Sequence, residues 1–298
     1  MKDNLSNHLT LLLWISLLAS SFVVSESLLP YASPVASTGL RFILASLLML
    51  PLVYKQLKSY LHARLLMQYS GISAFLVLFF IGMFEALKTT TALNTSVIYT
   101  LIPLFSVGLS YLWLNSRIEG LKLLGFLIGT GGALWVLLAS HPHQIDALQW
   151  RSGDSIFMLA SVCMAMHAVL VKKWGTRIPA RIGAFLILLT GSLMLLPLLL
   201  FAGELETVAW QQQGFWQALL YLTLFTTLAT FFLQQYLVQR VGPNRLLAFT
   251  YLVPTLVALP QGLITEGQWP IALPGIALTI LALYLISWHS WQIEQETR

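Results

Sequence analysis

Arg41 stands in the stretch STGLRFILASLLMLP, where no other side chain carries charge. An arginine at the centre of a bilayer costs about 2.5–3.5 kcal/mol on insertion scales, so it must face protein or water. Two chemistries fit it. One is an outer gate or an anchor for an anionic group. The other is a buried ion pair that holds helices together, for which Glu26 and Glu85 are the expected partners. Glu85 and Lys88 are three residues apart, share a helix face, and are expected to pair with each other at the surface. His167 is either a proton-coupling group or a neutral, hydrogen-bonded core residue. Gln234 and Gln235 point in different directions, so at most one lines a pathway fully. Trp14, Tyr99 and Tyr251 either line a path for an amphipathic or aromatic cargo or serve as packing and interface anchors. His141 and His143, in HPH, are too few for a tetrahedral zinc site and read as loop residues. HExxH, a phosphate loop, a nucleophile elbow and a carboxylate cluster within one span are all missing from the sequence. No catalytic residue, cofactor or metal is expected, nor ATP hydrolysis by this chain.

The elements that position these groups follow from composition. The chain has 298 residues, 57% hydrophobic and 9% charged. Soluble domains carry roughly 25% charged residues, so the solvent for this surface is lipid. Charge-free runs such as Lys88 to Arg117 and Arg181 to Glu204 reach or exceed the roughly 20 residues that a bilayer crossing needs. Ten spans result, near 9–29, 33–54, 68–88, 92–114, 121–139, 154–173, 180–202, 215–237, 245–265 and 270–290. The first reads as a retained helix, because no small-residue cleavage site follows it. With the N-terminus in the cytoplasm, thirteen of the sixteen Lys and Arg residues fall on the cytoplasmic side. The positive-inside rule then places both termini there. It also explains the net charge of +5 without a nucleic-acid partner. Cys163, the single cysteine, excludes an intramolecular disulfide.

The chain echoes itself at a spacing of roughly 140–150 residues. LAS at 18–20 returns at 159–161, LLMLP at 47–51 as LMLLP at 193–197, and TLIP at 100–103 as YLVP at 251–254. Asn94 and Asn244 stand nine and ten residues before their prolines. Five spans per half is odd, so the second half enters the membrane from the opposite side. The expected fold is therefore an all-α integral membrane protein, ten transmembrane helices in two inverted five-helix repeats. Residues 1–140 form the first repeat, 141–152 an outer loop and 153–298 the second. A proline inside a helix removes one hydrogen bond and costs about 3 kcal/mol. Pro103 and Pro254 pay that cost at matched positions. Paired interruptions at mid-membrane point to a binding site, because freed backbone groups survive only beside protein or a wet cavity. A structural kink is the alternative. Gly125, Gly129, Gly131 and Gly132 give the fifth span a small-residue face for close packing, within the chain or in a homodimer.

The arrangement resembles the drug/metabolite transporter superfamily, of the EamA type. Trp14 in the first span and Arg41–Phe42 in the second match its pattern. EALKTTTALNTSVIYTLIP (85–103) resembles the join between its third and fourth spans, and QRVGPNRLLAFTYLVP (239–254) the partner in the second repeat. The family's glycine–glutamate pair is displaced here, as NSRIEG around Glu119 and TEG around Glu266. The resemblance implies a secondary transporter in the bacterial inner membrane, moving amino acids, metabolites or drugs by alternating access, more often outward. Its partners are then a small-molecule solute and membrane lipid. The pathway residues expected are Trp14, Arg41, Asn94, Tyr99, Pro103, Gln234, Tyr251 and Pro254, with Glu26, Glu85 and His167 as gate or proton-coupling groups. An integral membrane enzyme acting on lipid would need convergent His, Asp or Glu residues at one depth. A non-transporting membrane partner would show a sealed interface between the halves.

Overall fold

The computed structural model describes residues 2–116, 119–139, 150–175, 178–241, 243–260 and 269–296. His141, His143 and Glu266 lie outside them. Among the described residues every regular element is a helix. Lipid offers the backbone no hydrogen-bond partner, and a helix satisfies its N–H and C=O groups within one segment. In chain order the helices are α1 (Lys2–Leu28), α2 (Pro34–Leu57), α3 (Ala63–Leu87), α4a (Ala92–Tyr99), α4b (Ile102–Leu114), α5 (Gly120–Ala139), α6 (Ser152–Trp174) and α7 (Ala180–Phe201). Then come α8a (Gln213–Thr223), a π turn (Leu224–Ala229), α8b (Thr230–Val241), α9a (Pro243–Phe249), a 3₁₀ turn (Thr250–Leu252), α9b (Val253–Ala258) and α10 (Trp269–Glu296). Nine helical segments among the described residues are long and apolar enough to cross a bilayer, with Leu246–Ala258 as a shorter tenth. The expected ninth span, 245–265, is thus a broken helix whose described part ends at Ala258.

Local chemistry sets the helix starts. Ser33 Oγ accepts the Ala36 N–H at 3.1 Å, and Pro34 occupies the first turn, where no N–H is needed. Thr91 Oγ1 caps α4a in the same way, accepting from Asn94 N at 3.2 Å.

The pairing of helices repeats itself. Helices α2 and α7 pack together, as do α5 and α10. Contact of α3 with α6 is matched five helices on by α8 with α1, α3 with α7 by α8 with α2, and α4 with α6 by α9 with α1. Such a pattern is what two inverted five-helix units make when they interdigitate. Antiparallel seams define two faces. The near face holds the α2–α3 turn, and the far face holds the α1–α2 turn.

Glycines permit the closest seams. On α5, a Cβ at Gly132 would stand 2.7 Å from the Gly275 carbonyl of α10, and one at Gly125 would stand 2.7 Å from Ile286. Gly129 receives the ring of Tyr251. The small-residue face is therefore used within the chain. Gly131 alone of the four faces open space.

Candidate functional site

The two prolines interrupt their helices in the same way. Pro103 is the second residue of α4b and Pro254 the second of α9b. A proline ring carries no N–H, so the carbonyls four residues back, of Tyr99 and Thr250, lose their helical donors. Tight i→i−3 bonds precede the first break, from Thr100 N to Val97 O and from Leu101 N to Ile98 O, each 3.0 Å. The 3₁₀ turn at 250–252 precedes the second. Thr130 Oγ1 of α5 reaches the Thr100 carbonyl at 3.4 Å. Protein therefore surrounds both breaks, and Pro103 and Pro254 are buried.

Packing around the breaks is unequal on the two faces. Far-side halves α4a and α9b pack on each other, and α1 packs on both. Near-side halves α4b and α9a form no such packed pair among the described residues. Instead α4b leans on α6 and α5, while α9a leans on α10 and α8b.

Aromatic rings converge beside the first break. Tyr99 meets Phe22 of α1 edge-on at 5.3 Å between centroids and Phe79 of α3 at 6.4 Å. Phe157 of α6 completes a quartet, 6.3 Å from Phe22 and 5.9 Å from Phe79. Tyr99 and Asn94 are half-buried. Trp14 is 4% exposed, within the same core. Tyr251 is wholly buried against Gly129 and Phe126, with its hydroxyl facing Thr130 but without a well-formed hydrogen bond. The structure thus brings Tyr99 and Trp14 into one core and leaves Tyr251 in a separate seam.

Arg41 does not pair with either acid. Its side chain is 1% exposed and turns into the π turn of α8. Nε donates to Thr227 Oγ1 at 2.7 Å, and Nη2 donates to Thr226 Oγ1 at 3.0 Å and to the Thr226 carbonyl at 3.3 Å. The guanidinium lies 4.4 Å from the Phe80 ring centroid. Nη1 is buried without an acceptor. Glu85 instead bonds Lys88 at 2.6 Å, both side chains about half exposed, as their spacing implies. The expected Arg41–glutamate pair fails because both carboxyls sit at the far ends of their helices, whereas the guanidinium reaches deeper. π turns break the i→i−4 ladder and recur at functional sites. Thr226 and Thr227 were missed by sequence reasoning, yet they carried a signal. Thr223, Thr226, Thr227 and Thr230 follow the i, i+3, i+4, i+7 spacing of one helical face in an otherwise apolar run.

Hydrogen bonds clasp the far face. Asp154, 3% exposed, accepts from Thr90 Oγ1 at 2.5 Å and from Arg151 N at 2.9 Å, tying the α3–α4a turn to the start of α6. Beside it, a Cβ on Gly153 would stand 2.3 Å from the Ala86 carbonyl. Ser33 donates to Glu204, and Ala209 N donates to the Tyr31 carbonyl at 2.8 Å, across the other half. Asp154 was also missed, because it sits at a span boundary where a capping acid is ordinary.

The remaining expected residues stand apart. The Nδ1–H of His167 donates to the Ile72 carbonyl at 3.0 Å, bridging α6 and α3. Gln234 is exposed on α8b, and Gln235 is half-buried. A hollow of about 240 Å³ on the near face, between α3 and α6, is lined by Arg64, Gln68, Lys173 and Trp174. A groove of about 390 Å³ on the far face, between α1 and α8a, includes Tyr31, Gly214 and Tyr221.

Comparison with known proteins agrees with this architecture. The chain is 25% identical over 250 residues to the uncharacterized transporter YyaM of Bacillus subtilis (strain 168), covering 80% of each chain. It is 23% identical over 292 residues to the uncharacterized transporter YetK of the same organism, covering 95% of this chain and 87% of that one. It is 27% identical over 190 residues to the S-adenosylmethionine/S-adenosylhomocysteine transporter of Chlamydia trachomatis serovar D, covering 60% of this chain and 57% of that one. One crystal structure shares the fold at a TM-score of 0.67 and 21% identity, over 97% of this chain and 99% of its own. The model of the EamA-like transporter family matches twice in tandem, at residues 6–138 and 151–288, and the chain belongs to that family.

Proposed function

We propose that this chain is a secondary transporter that moves a small organic solute across the bacterial inner membrane by alternating access, in the outward direction. One observation carries the reading. Two helices broken at matched prolines are packed together on the far side of their breaks and form no such packed pair on the near side among the described residues. That asymmetry is what one end state of a rocking two-repeat transporter requires. The near face is taken as cytoplasmic because most of the Lys and Arg residues lie in its turns. Residues 1–140 and 153–298 act as the two repeats. Tyr99, Asn94 and Trp14 line the path beside Pro103, and Tyr251 supports Pro254 from the α5 side. The far-face clasp, which includes Asp154, is the closed gate. Gly125, Gly129 and Gly132 of α5 are filled from within the chain and offer no seam to a second copy. Kinship with a transporter named for S-adenosylmethionine and S-adenosylhomocysteine supports a cargo of metabolite size.

Flux into proteoliposomes tests this. Labelled amino acids and other small metabolites should show saturable uptake that exceeds that of protein-free vesicles, with self-exchange faster than net flux. Folded protein that moves none of a broad panel, with and without a proton gradient, would contradict the reading.

A further inference from the structure

We propose that the hollow between the near ends of α3 and α6 binds the phosphodiester headgroup of an anionic phospholipid, held between Arg64 and Lys173. The site stands apart from the helix breaks and does not rest on the transport reading above.

Unbalanced charge in a concave space is the first ground. Arg64 and Gln68 are one turn apart on α3 and share a helix face, while Lys173 and Trp174 close the hollow from the last turn of α6. Its volume is about 240 Å³. Pockets that enclose drug-sized ligands run to roughly 300–1,000 Å³, so this space suits a headgroup better than a whole solute. Two cations thus line one small space. Among the described residues neither forms an ion pair. A phosphodiester between them would supply the missing negative charge and accept charge-assisted bonds from both. The Gln68 amide adds a neutral donor.

The setting in the membrane is the second ground. Lys173 Nζ lies 5.9 Å from the ring centroids of both Trp113 and Trp174. Indoles at helix ends mark the level of lipid headgroups. Met67 of α3 and Leu112 of α4b, next in sequence to Gln68 and Trp113, are 72% and 69% exposed. They offer acyl chains an apolar surface at the same end of these helices. Basic pockets between transmembrane helices at the cytoplasmic face are where acidic headgroups bind.

The repeat supplies the third ground. Helix α8 stands to α1 as α3 stands to α6, and the far-face groove occupies that equivalent seam. Ser27, Tyr31, Gln217 and Tyr221 are its polar lining, and none of its lining residues is charged. The fold therefore makes a hollow at both seams, and only the near one holds cations. A general excess of basic residues at one face does not require this convergence. Lys55 and Lys58, at the near end of α2, satisfy that excess without lining the hollow. Because α3 and α6 fall in different family repeats, a headgroup here also ties the two repeats together at the near face.

Dioleoylphosphatidylglycerol, dioleoylphosphatidylcholine and inorganic phosphate, each titrated into the full chain in a non-ionic detergent, test the assignment. Thermal unfolding and native mass spectrometry are the readouts. Phosphatidylglycerol should raise the unfolding temperature saturably and stay bound as one tight equivalent, with phosphatidylcholine at least about tenfold weaker. Arg64→Gln and Lys173→Gln should each lower the affinity for phosphatidylglycerol about fivefold, and together about 10–30-fold, leaving phosphatidylcholine unchanged. Lys55→Gln with Lys58→Gln removes as much charge from the same face and should change the affinity little, because exposed charges outside the hollow are screened. Equal response to the two lipids in the unsubstituted chain would overturn the proposal, whatever the variants do. So would an equal loss in the two double variants, which would mean attraction by the whole face, or affinity that survives loss of both Arg64 and Lys173. Inorganic phosphate that stabilises the protein as strongly as the lipid would make this a free-phosphate site and overturn the lipid assignment.

Discussion

Gly153→Val should lower transport by about 5–150-fold while leaving the helices assembled. The added Cβ would stand 2.3 Å from the Ala86 carbonyl, 2.8 Å from Thr89 Oγ1 and 3.0 Å from Thr90 Cβ. The first of these is backbone and cannot rotate away. Overpacking of this kind costs about 1–3 kcal/mol. The cost falls only on the state in which α6 is pressed against the α3–α4a turn, which is the state with the far face closed. An energy of that size, placed on one of two conformations, shifts their ratio by about 5–150-fold. Flux slows because a carrier held open on one side cannot complete its cycle. Flux measured beside the yield of monodisperse protein checks this. Equal flux with Gly153→Val would mean that the clasp is not a gate.

Gly132→Leu should destabilise the fold itself. A side chain there would meet the Gly275 carbonyl at 2.7 Å, with Leu278 Cβ and Thr279 Cγ2 at 2.9 Å. Gly275 is in turn confined by the Gly132 carbonyl, at 2.9 Å from its own Cβ position. Neither backbone can retreat unless α5 and α10 part along their whole seam. The expected cost is about 1–3 kcal/mol or more, with a lower unfolding temperature in detergent and poor recovery of folded protein. Gly131→Leu is the control, because nothing lies within 4 Å of its Cβ position. Similar stability losses for the two variants would show that the glycine seam is not what holds α5 to α10.

Much of this molecule was legible from spacing alone. Charge-free runs of bilayer length placed the helices, because in lipid a single span of about 20 apolar residues satisfies its backbone within itself only as a helix. The two prolines marked the breaks, although the same missing N–H at Pro51, Pro197 and Pro274 leaves α2, α7 and α10 continuous. Pairing of Glu85 with Lys88 followed from a three-residue separation on one helix. What stayed hidden depended on contacts between distant helices. The partner of Arg41 lies 185 residues away in a π turn, and nothing in the local sequence announces that turn. The threonine stripe was visible but reads equally as a set of hydroxyls bonding back to their own helix, as Thr223 and Thr230 do. Asp154 caps its own helix with one oxygen, and its second oxygen fastens the α3–α4a turn to α6. Tyr251 and Tyr99 occupy matched stretches of the repeat, yet one is sealed against Gly129 and the other faces the ring quartet.

Cysteine accessibility at the breaks tests the central idea most directly. In a Cys163→Ser background, single cysteines at Tyr99, Ser106 and Leu252 are exposed to a membrane-impermeant thiol reagent added to one side of sealed vesicles at a time. If the breaks flank a wet path that opens to alternate faces, at least one position in each broken helix reacts from the near side. A transported solute then slows the reaction, and Gly153→Val moves it to the far side. If folded protein reacts from neither side at any of the three positions, the breaks are dry kinks and the chain has no path along them.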